Sequence, residues 1–475
     1  MEANSGPRRS STQEPDGPGD GADLISALPD EVLLLVLARL PCAAAAACTG
    51  VLSRRWLGLW AGLRPIVFRG VALPSLEEAL GRVTPAAVSL IKIRVPIKQQ
   101  RGPVPTEHPT GSAGVPINSL LRAAARLDPE KLDFRLPSGL IDRTLAVDLP
   151  CFHRATSIAL DLSPITLALP AGADFPALET LSLARCSTDL DALLSCCPRL
   201  RTLHLSTARD IRVNSPSLQE LVVCCEISVT RHVDMVAPAL KQLVISLTAV
   251  DHSISVLAPM VEKVSWHCLY LGPRIVFGVW SLNKVQLQSA DKEGQLSSLC
   301  IYACAYSAFF RAQASHFKQE IEKHMVAAFS CLELHLITTG HAFGALVFHL
   351  LGMNRIRTAT RRLKVVLQRS ALKEVCPPYC LCESNWRSQT ISLDALEEVE
   401  FNGFGGADHE FDLLELILGC APTLKRMIVK LSEETSASND GCAKIDNIFK
   451  AWSSVECDVY HSSGLMHGSQ NCPST

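Results

Sequence analysis

A short pattern of apolar and polar positions recurs through the middle of the chain. Each copy begins with a proline, any residue and an apolar residue, and apolar and polar residues alternate from there on. Successive copies lie 18 to 22 residues apart. The segments read LETLSL, LRTLHL, LQELVV, LKQLVI and VEKVSW, after Pro176, Pro198, Pro216, Pro238 and Pro259. Alternation places successive side chains on opposite faces of a strand. The pattern therefore predicts strands whose apolar residues face inward. The polar residues predicted to face outward are Glu179, Arg201, Gln219 and Lys241.

A repeat of about 20–29 residues that contains one such strand is typical of leucine-rich repeats. The copies here are irregular and resemble the Cys-Pro-x-Leu type of plant F-box proteins, most clearly at Cys197-Pro198-Arg199-Leu200. Residues 190–196 indicate a short helix or turn between two strands. We therefore expect an α/β repeat fold, with an irregular leucine-rich-repeat solenoid of strand-turn-helix units over residues 65–375. Such units contact only their neighbours, so their sequences can drift.

Weaker units flank the clear ones. We expect further strands at 66–68, 87–97, 131–136, 156–162, 282–287, 332–337 and 363–367, and helices at 120–127 and 341–351. Residues 98–116 are polar and contain four prolines, which predicts a surface loop.

A helical insertion near residues 290–330 interrupts the repeats. Its apolar residues lie roughly on one helical face: Phe310, Phe317, Ile321, Met325 and Phe329. This spacing predicts a long amphipathic helix packed on the repeats. A helix that binds a partner instead is the alternative.

Residues 24–63 carry more apolar side chains than one helix face can bury. Leu28-Pro29-Asp30-Glu31 indicates a helix start, because proline fits the first turn and acids favour the positive end of the helix dipole. We expect this helix to end at Pro41. The inward stripe is predicted to be Val32, Leu33, Val36, Leu37 and Leu40. Leu34 and Leu35 lie off that stripe, which predicts a second apolar contact surface.

A second block follows an alanine run at 43–47. Trp56, Leu59, Trp60 and Leu63 recur at helical spacing, with Arg54 and Arg55 on another side. We therefore expect two or three short helices in this region. Fewer than fifty residues make a marginal core, so docking to a partner would stabilise them.

Together the two blocks resemble the F-box in its plant form, LP-D-E-[IV]-L-x-x-I-L-x-x-LP followed by T-S-V-LS-[KR]-RW-x-x-LW. The matching residues are Leu28-Pro29-Asp30-Glu31-Val32-Leu33, Leu37, Leu40-Pro41, Thr49, Val51-Leu52-Ser53-Arg54-Arg55-Trp56 and Leu59-Trp60. Gly50 stands where the family usually has Ser, and the alanine run replaces a more mixed segment. The resemblance implies an F-box over 23–64 that docks on the Skp-family adaptor of a cullin–RING ubiquitin ligase.

The F-box resemblance also implies which residues fold this region or contact the adaptor. They are Leu28, Pro29, Val32, Leu33, Leu37, Leu40, Pro41, Val51, Leu52, Ser53, Arg54, Trp56 and Trp60. The sequence does not separate those that face the adaptor from those that face the core. The alternative is a small helical cap that uses its apolar residues internally, but this explains neither the paired tryptophans nor the leucines off the stripe.

The C-terminal part resembles the FBD region of many plant F-box proteins with leucine-rich repeats. The resemblance covers 376–460, with a strand at 396–401, a helix at 411–418 and then Cys420-Ala421-Pro422-Thr423-Leu424. Residues 1–22 are polar and rich in Gly, Pro and Ser, which predicts a disordered tail. Residues 461–475 are expected to be a flexible tail.

Composition narrows the classes of partner. The net charge of −2 gives no basis for nucleic-acid binding through bulk electrostatics. No apolar run reaches the roughly 18 residues of a membrane span, and the N-terminus has no apolar signal core. The 19 cysteines are scattered, which favours buried reduced thiols and a location in the cytoplasm or nucleus.

No residue pattern indicates catalysis, a cofactor or a resident metal. Cys376, Cys380 and Cys382 are spaced CxxxCxC, whereas a structural zinc site uses four ligands. His409 or Cys420 could supply a fourth, but reduced loop cysteines are the simpler interpretation. Gly403-Phe404-Gly405-Gly406 lacks the spacing of a dinucleotide fingerprint and is interpreted as a turn.

The F-box, leucine-rich-repeat and FBD resemblances together imply a substrate receptor of an SCF-type ubiquitin ligase without catalytic residues of its own. The F-box would bind the Skp-family adaptor and, through it, the cullin, and the repeats would bind an unidentified substrate protein. Holding a substrate lysine near a conjugating enzyme accelerates transfer by proximity. The alternative is a repeat scaffold that binds a partner without ubiquitin ligation.

Overall fold

The structure is a computed structural model that describes residues 25, 27–84, 88–95, 114–136, 146–206, 210–290, 292, 294–306, 314–369, 386–432, 439–461 and 464–468. The predicted 1–22 tail and nearly all of the predicted 98–116 loop lie outside these residues. So do Phe310 and the three cysteines Cys376, Cys380 and Cys382.

Helices and strands alternate near both ends of the described chain, whereas the middle consists mostly of strands. The first part contains α1 Asp30–Leu37, α2 Ala43–Cys48, β1 Pro65–Arg69, α3 Leu73–Arg82, β2 Leu90–Arg94, α4 Gly114–Arg126, β3 Lys131–Arg135, β4 Ala146–Asp148 and β5 Ser157–Ala168. The middle contains β6 Thr180–Ser187, α5 Leu190–Ser195, β7 Thr202–Ser206, β8 Asp210–Asn214, β9 Glu220–Val236, β10 Gln242–Leu257, β11 Lys263–Tyr270, β12 Val276–Phe277, β13 Trp280–Gln288 and β14 Ser298–Ala305. The last part contains α6 Ala314–Lys323, β15 Cys331–Ile337, α7 Gly344–Leu351, α8 Asn354–Ala359, β16 Arg362–Gln368, β17 Glu398–Phe404, α9 Asp408–Cys420, β18 Arg426–Leu431, α10 Asn439–Ala451, β19 Glu456–His461 and β20 Gly464–Gly468.

One hydrogen-bonded ladder joins most of these strands. Parallel pairs connect β1, β2, β3, β5, β6, β7, β9, β10 and β11 in that order, and parallel pairs connect β14 through β19. Two inward rows of side chains cross the ladder and are buried. One of them runs through Phe68, Phe134, Leu183, Ile245 and Trp266. The C-terminal region that resembles an FBD continues the same ladder, because β16 pairs with β17.

The Pro-x-apolar motif lies in the turn before each strand. Each strand begins two residues after the apolar residue of the motif, as in β7, which begins at Thr202 after Leu200. The Leu200 amide donates to the Cys197 carbonyl at 3.2 Å, and the Leu200 side chain is buried. The four polar residues predicted to face outward are exposed. The motif therefore sets where each unit starts.

The strand predicted at 282–287 forms, but in the reverse direction. β13 is antiparallel to both of its neighbours, β11 and β14. The segments 271–279 and 289–297 join it to them, and they are shorter than the dozen or more residues that a parallel crossover needs. The two short connections therefore turn β13 around, and the parallel direction resumes at β14.

The strand-turn-helix prediction is wrong for three consecutive units. In these units the segment that leads from one strand of the main ladder to the next, here called the return, is a strand instead of a helix. The return after β7 is β8, and the second halves of β9 and β10 pair beside it in a second parallel ladder. These returns read DIRVN, HVDMV and SISVL, in which polar and apolar residues alternate as in strands. The segment 190–196, expected to be a short helix or a turn, forms the helix α5.

Two other expectations about extended segments need correction. β14 lies inside the predicted helical insertion. Small residues such as Ala303 and Cys304 make the alternation of apolar and polar positions along this strand hard to recognise in the sequence. The predicted helix is shorter than expected and is confirmed as α6, with Phe317 and Ile321 buried. Within the predicted flexible tail, 464–468 form β20, which pairs antiparallel with β19.

A buried polar chain fixes α6 on the inward side of β11. The Trp266 indole donates to His324 Nδ1 at 2.8 Å, and the Tyr270 hydroxyl donates to Glu320 Oε1 at 2.7 Å. The other imidazole nitrogen of His324 lies 2.5 Å from the Tyr270 hydroxyl. Lys323 bonds the second oxygen of Glu320. The buried groups thus satisfy one another, as burial requires.

The glycine turn at 403–406 is a helix start closed by a carboxylate. Glu410 is buried, and its Oε2 accepts from the amides of Gly405 and Ala407 at 2.9 Å each. Arg369 bonds the other oxygen. Gly403 has φ 81°, a conformation that favours glycine, and the Leu367 carbonyl would meet any Cβ there at 2.5 Å. Because Glu410 occupies these amides, the turn is not arranged to hold a phosphate.

Replacing Glu410 should destabilise the chain far more than replacing Asp412 on the same helix. Glu410→Ala leaves Arg369 and two amides without their acceptor, which should cost about 2–4 kcal/mol. Asp412→Ala removes a half-exposed pair with Arg387 and should cost at most about 1 kcal/mol. Urea unfolding measures both variants, and equal losses would contradict the role of Glu410.

The buried cysteines of the repeat units behave as small apolar residues. Burial raises the pKa of the thiols of Cys186, Cys197, Cys268, Cys331 and Cys457 to about 12. These thiols are protonated at neutral pH and hence weak nucleophiles. We expect maleimide at pH 7 to label exposed Cys48 in the native chain and the five buried thiols only after unfolding, as mass spectrometry would show. Rapid native labelling at Cys268 would contradict this.

Candidate protein-binding face of the N-terminal helices

The N-terminal helices are built around a few buried side chains. Leu33 and Leu37 of α1 are buried, and they join a core with Ala46 of α2 and Trp56. α2 lies against β1, the first strand of the ladder. The Thr84 amide and hydroxyl both donate to the Ala61 carbonyl. The N-terminal helices therefore share the hydrophobic core of the sheet and cover its first strand.

α1 begins as predicted but ends early. Asp30 and Glu31 occupy its first turn after extended Pro29, and the helix stops at Leu37. The prediction that it runs to Pro41 is wrong. A residue before proline avoids the helical conformation, and the last turn tightens, so that the Leu40 amide bonds the Leu37 carbonyl at 3.0 Å.

The second block is not a continuous helix. It contains two short 3-10 helices, Thr49–Val51 and Leu59–Gly62. Gly58 between them has φ 90°, which a helix cannot contain. The predicted apolar set still faces inward, because Trp56 and Leu63 are buried while Leu59 and Trp60 pack partly buried against the core.

An arginine links the two blocks. Arg55 donates through Nε and Nη2 to the Asp30 carboxylate at 2.9 and 2.7 Å, and through Nη2 to the Leu28 carbonyl. The bond to the Leu28 carbonyl holds the segment that leads into α1. Because Asp30 and Arg55 are both partly exposed, the ion pair itself contributes at most about 1 kcal/mol. Its main effect is to fix the geometry between the blocks.

An unusual amount of apolar surface remains on the outside of these helices. The exposed fractions run from 36% at Leu40 to 88% at Val51. We refer to these residues as the N-terminal apolar set: Val32, Leu35, Val36, Leu40, Val51, Leu52 and Leu57. Val32, Leu35 and Val36 follow the i, i+3, i+4 spacing of one helix face. Exposed apolar residues grouped in this way mark protein contacts more often than isolated ones do.

The predicted inward stripe is right for two of its five residues. Leu33 and Leu37 face inward, but Val32, Val36 and Leu40 are exposed. Leu35 is outside, as predicted, whereas Leu34 lies against Gly62 and is partly buried. The stripe that holds the most apolar residues is not the buried face, which is narrower and includes Leu33 and Leu37.

The structure divides the residues predicted for this site into three groups. Leu33, Leu37 and Trp56 are buried, and Leu28 and Trp60 are partly buried. The others are exposed: Pro29, Val32, Leu40, Pro41, Val51, Leu52, Ser53 and Arg54. Three further residues are exposed but were not predicted for this site: Leu35, Val36 and Leu57. Of these, only Leu35 could be anticipated, because α1 carries more leucines than one face can bury.

The outward face of the sheet is a second candidate surface. In one row across the ladder, no charged residue lies between Asp161 on β5 and Glu333 on β15. Ion pairs occupy both flanks, such as Arg185 with Asp161 at 2.6 Å and Arg426 with Asp458 at 2.7 Å. From β6 to β14 this row therefore carries no aspartate, glutamate, lysine or arginine side chain.

The part of the chain that the structure describes contains no group of three or more potential ligands that could hold a metal. His409, one of the candidate ligands, packs edge-on against Phe343, and burial lowers its pKa. No described helix is long and apolar enough to cross a membrane.

A family model matches residues 117–262, from within α4 to the residue before β11. It describes the repeats of an FBD-associated F-box protein (FBD-associated F-box protein At5g56370, LRR repeats). A search of curated proteins finds no match. The repeat region is therefore similar to the leucine-rich repeats of F-box proteins, which supports the predicted α/β repeat fold. The N-terminal helices and the chain after 262 lie outside the matched residues.

Substitutions on α1 should separate inner from outer leucines. Leu33→Ala leaves a cavity in the core and should cost about 2–5 kcal/mol, so amide exchange over 30–63 should accelerate. Leu35→Ala, at a position that is 68% exposed, should change stability by less than about 0.5 kcal/mol. Hydrogen exchange with mass spectrometry measures both. Faster exchange in Leu35→Ala than in Leu33→Ala would contradict this packing.

Proposed function

We propose that the chain is the substrate receptor of an SCF-type ubiquitin ligase, with residues 23–64 as an F-box that binds a Skp-family adaptor and, through it, a cullin. The observation that carries the proposal is the N-terminal apolar set, because the buried residues of the F-box pattern form a core while seven apolar residues of the same stretch stay exposed. The similarity of residues 117–262 to the repeats of an F-box protein supports the same function.

Within this proposal, the N-terminal helices have two faces with different roles. The inner face, with Leu33, Leu37 and Trp56, folds the F-box and covers β1. The outer face, with Leu35, Val36 and Leu57, contacts the adaptor. Burying one such leucine contributes about 1.5–3 kcal/mol to a contact, before the entropy cost of association is subtracted.

The remaining units form a solenoid that presents a substrate protein to the conjugating enzyme. The chain supplies no catalytic group in this proposal, and rate enhancement comes from proximity. The C-terminal units belong to an FBD-like region that extends the same surface. Protonated, buried thiols suit the reducing cytoplasm or nucleus, where we place the protein.

The test is co-purification with a recombinant plant Skp-family adaptor. The wild-type chain should form a stoichiometric complex, and Leu35→Asp with Leu57→Asp should weaken it by about thirtyfold or more, the effect expected from losing an interface anchor. Leu257→Asp is the matched control, because Leu257 is 59% exposed on β10, far along the chain from the N-terminal helices. The control should bind like the wild type.

Point variants are sharper here than a deletion of 24–64, because such a deletion would uncover β1. Failure of the wild type to bind any adaptor would sink the receptor proposal and favour a scaffold. A double variant that binds as tightly as the wild type would show that another surface contacts the adaptor. Leu33→Asp is unsuitable as a contact test, because it disrupts the core.

A further inference from the structure

The outward face of β13 to β16 carries an aromatic stack. The Tyr302 and His335 rings are stacked with their centroids 4.2 Å apart and their planes 10° from parallel. The Lys284 ammonium lies over the Tyr302 ring, 4.4 Å from its centroid. The three residues are partners in adjacent strands, so the ladder itself aligns them. Partly exposed rings held rigidly in this way are typical anchors of protein contacts.

A groove of about 610 Å³ opens on the same face, beside the stack toward the start of the strands. Its floor and walls include Ser298, Cys331, Glu333, Arg361, Arg362 and Lys364. Glu333 and His335 are two residues apart on β15, so they share the outward face. The groove and the stack therefore form one continuous surface.

The carboxylates around this surface are already engaged. The Glu333 carboxylate lies 3.4 Å from Nε2 of His335, and this hydrogen bond lowers the pKa of Glu333. Arg362 lies 3.5 Å from Glu398 and 3.1 Å from Glu400. Lys430 lies 2.7 Å from Glu400, and Lys425 lies 2.6 Å from Glu397. Each of these carboxylates is thus within ion-pair distance of a basic side chain.

Three cations beside the same surface are not engaged in this way. Among the residues that the structure describes, Lys284, Lys364 and Arg361 have no carboxylate within 4 Å. Lys284 and Lys364 lie on either side of the Tyr302–His335 stack, on β13 and β16. Lys364 and Arg361 act electrostatically on these carboxylates at longer range. The six cations named around this surface outnumber its four carboxylates, so its net charge is positive. It adjoins an aromatic and apolar patch that also includes half-buried Val366 and exposed Ile337.

We propose that this surface binds an acidic segment of a partner protein, with an apolar side chain on the Tyr302–His335 stack and carboxylates near Lys284 and Lys364. The proposal rests on the receptor function for its biological meaning, since the segment would belong to the substrate. The site itself does not depend on the N-terminal helices. Complementary charge steers and orients such partners, and aromatic anchors supply most of the affinity.

The experiment is to select binders of the full-length chain from a displayed library of random dodecapeptides and to measure their affinities by fluorescence anisotropy. The selected peptides should be acidic and contain an apolar or aromatic residue. Their affinity should fall about tenfold in Tyr302→Ala and about tenfold in Lys284→Gln with Lys364→Gln. The double lysine variant should also lose most of the salt dependence of binding.

Lys131→Gln is the matched control, because Lys131 is an exposed lysine on the outward face of β3 without a carboxylate within 4 Å in the described structure. It should leave peptide affinity unchanged. Selected peptides without an acidic bias, or acidic peptides that bind the double lysine variant like the wild type, would overturn the proposal. Displacement of the peptides by single-stranded DNA of equal length with equal affinity would also overturn it, since the site would then recognise any polyanion.

The same preparations are tested for adaptor binding, so that the two proposals can fail separately. Site-specific peptide binding without any adaptor complex would leave this site standing and remove the receptor role. An adaptor complex without selective peptide binding would leave the receptor role standing and remove this site.

Discussion

The common register of the parallel strands is the constraint on which the rest of the structure depends. The amide before each strand bonds the carbonyl of the equivalent residue one unit earlier, as Arg201 does with Glu179 and Gln219 with Arg201. The same ladder continues far along the chain, where Glu397 bonds Arg361 and Lys425 bonds Glu397. The apolar residue after the Pro-x step is buried in four of the five copies and half-buried at Val261. It favours this register, because a slip of one residue would turn every inward side chain outward.

Because the register is fixed, the repeat units differ from one another mainly in the segments that connect the ladder strands and in their outward side chains. The returns differ freely: α5 is a helix, β8 is a strand, and the short connections around β13 reverse one strand without breaking the ladder. The outward face varies in charge along the ladder. Ion pairs neutralise both flanks, while β13 to β16 keep cations beside aromatic rings. A sheet held by its inward rows can therefore carry different partner surfaces without loss of stability.

Sequence pattern was sufficient for features determined by neighbouring residues. The strands after the Pro-x-apolar motif, α5 and the inward positions of Trp56 and Leu63 all follow from local alternation or spacing. It failed where distant contacts decide. The outward side of α1 depends on what packs under Leu33, and the reversal of β13 depends on connection length. The Tyr302–His335 stack joins residues 33 positions apart through a strand register that one sequence does not reveal.

The two ends of the ladder show why the N-terminal helices are unusual. The end of a repeat array needs a cap whose inner side is apolar and whose outer side is polar. At the C-terminal end, β20 adds an antiparallel strand to β19. At the N-terminal end, α2 covers β1, but the outer side of the cap carries Leu35, Val36 and Leu57. A cap that only protected β1 would gain solubility from polar residues there. Apolar residues at these positions are explained if a second protein covers them.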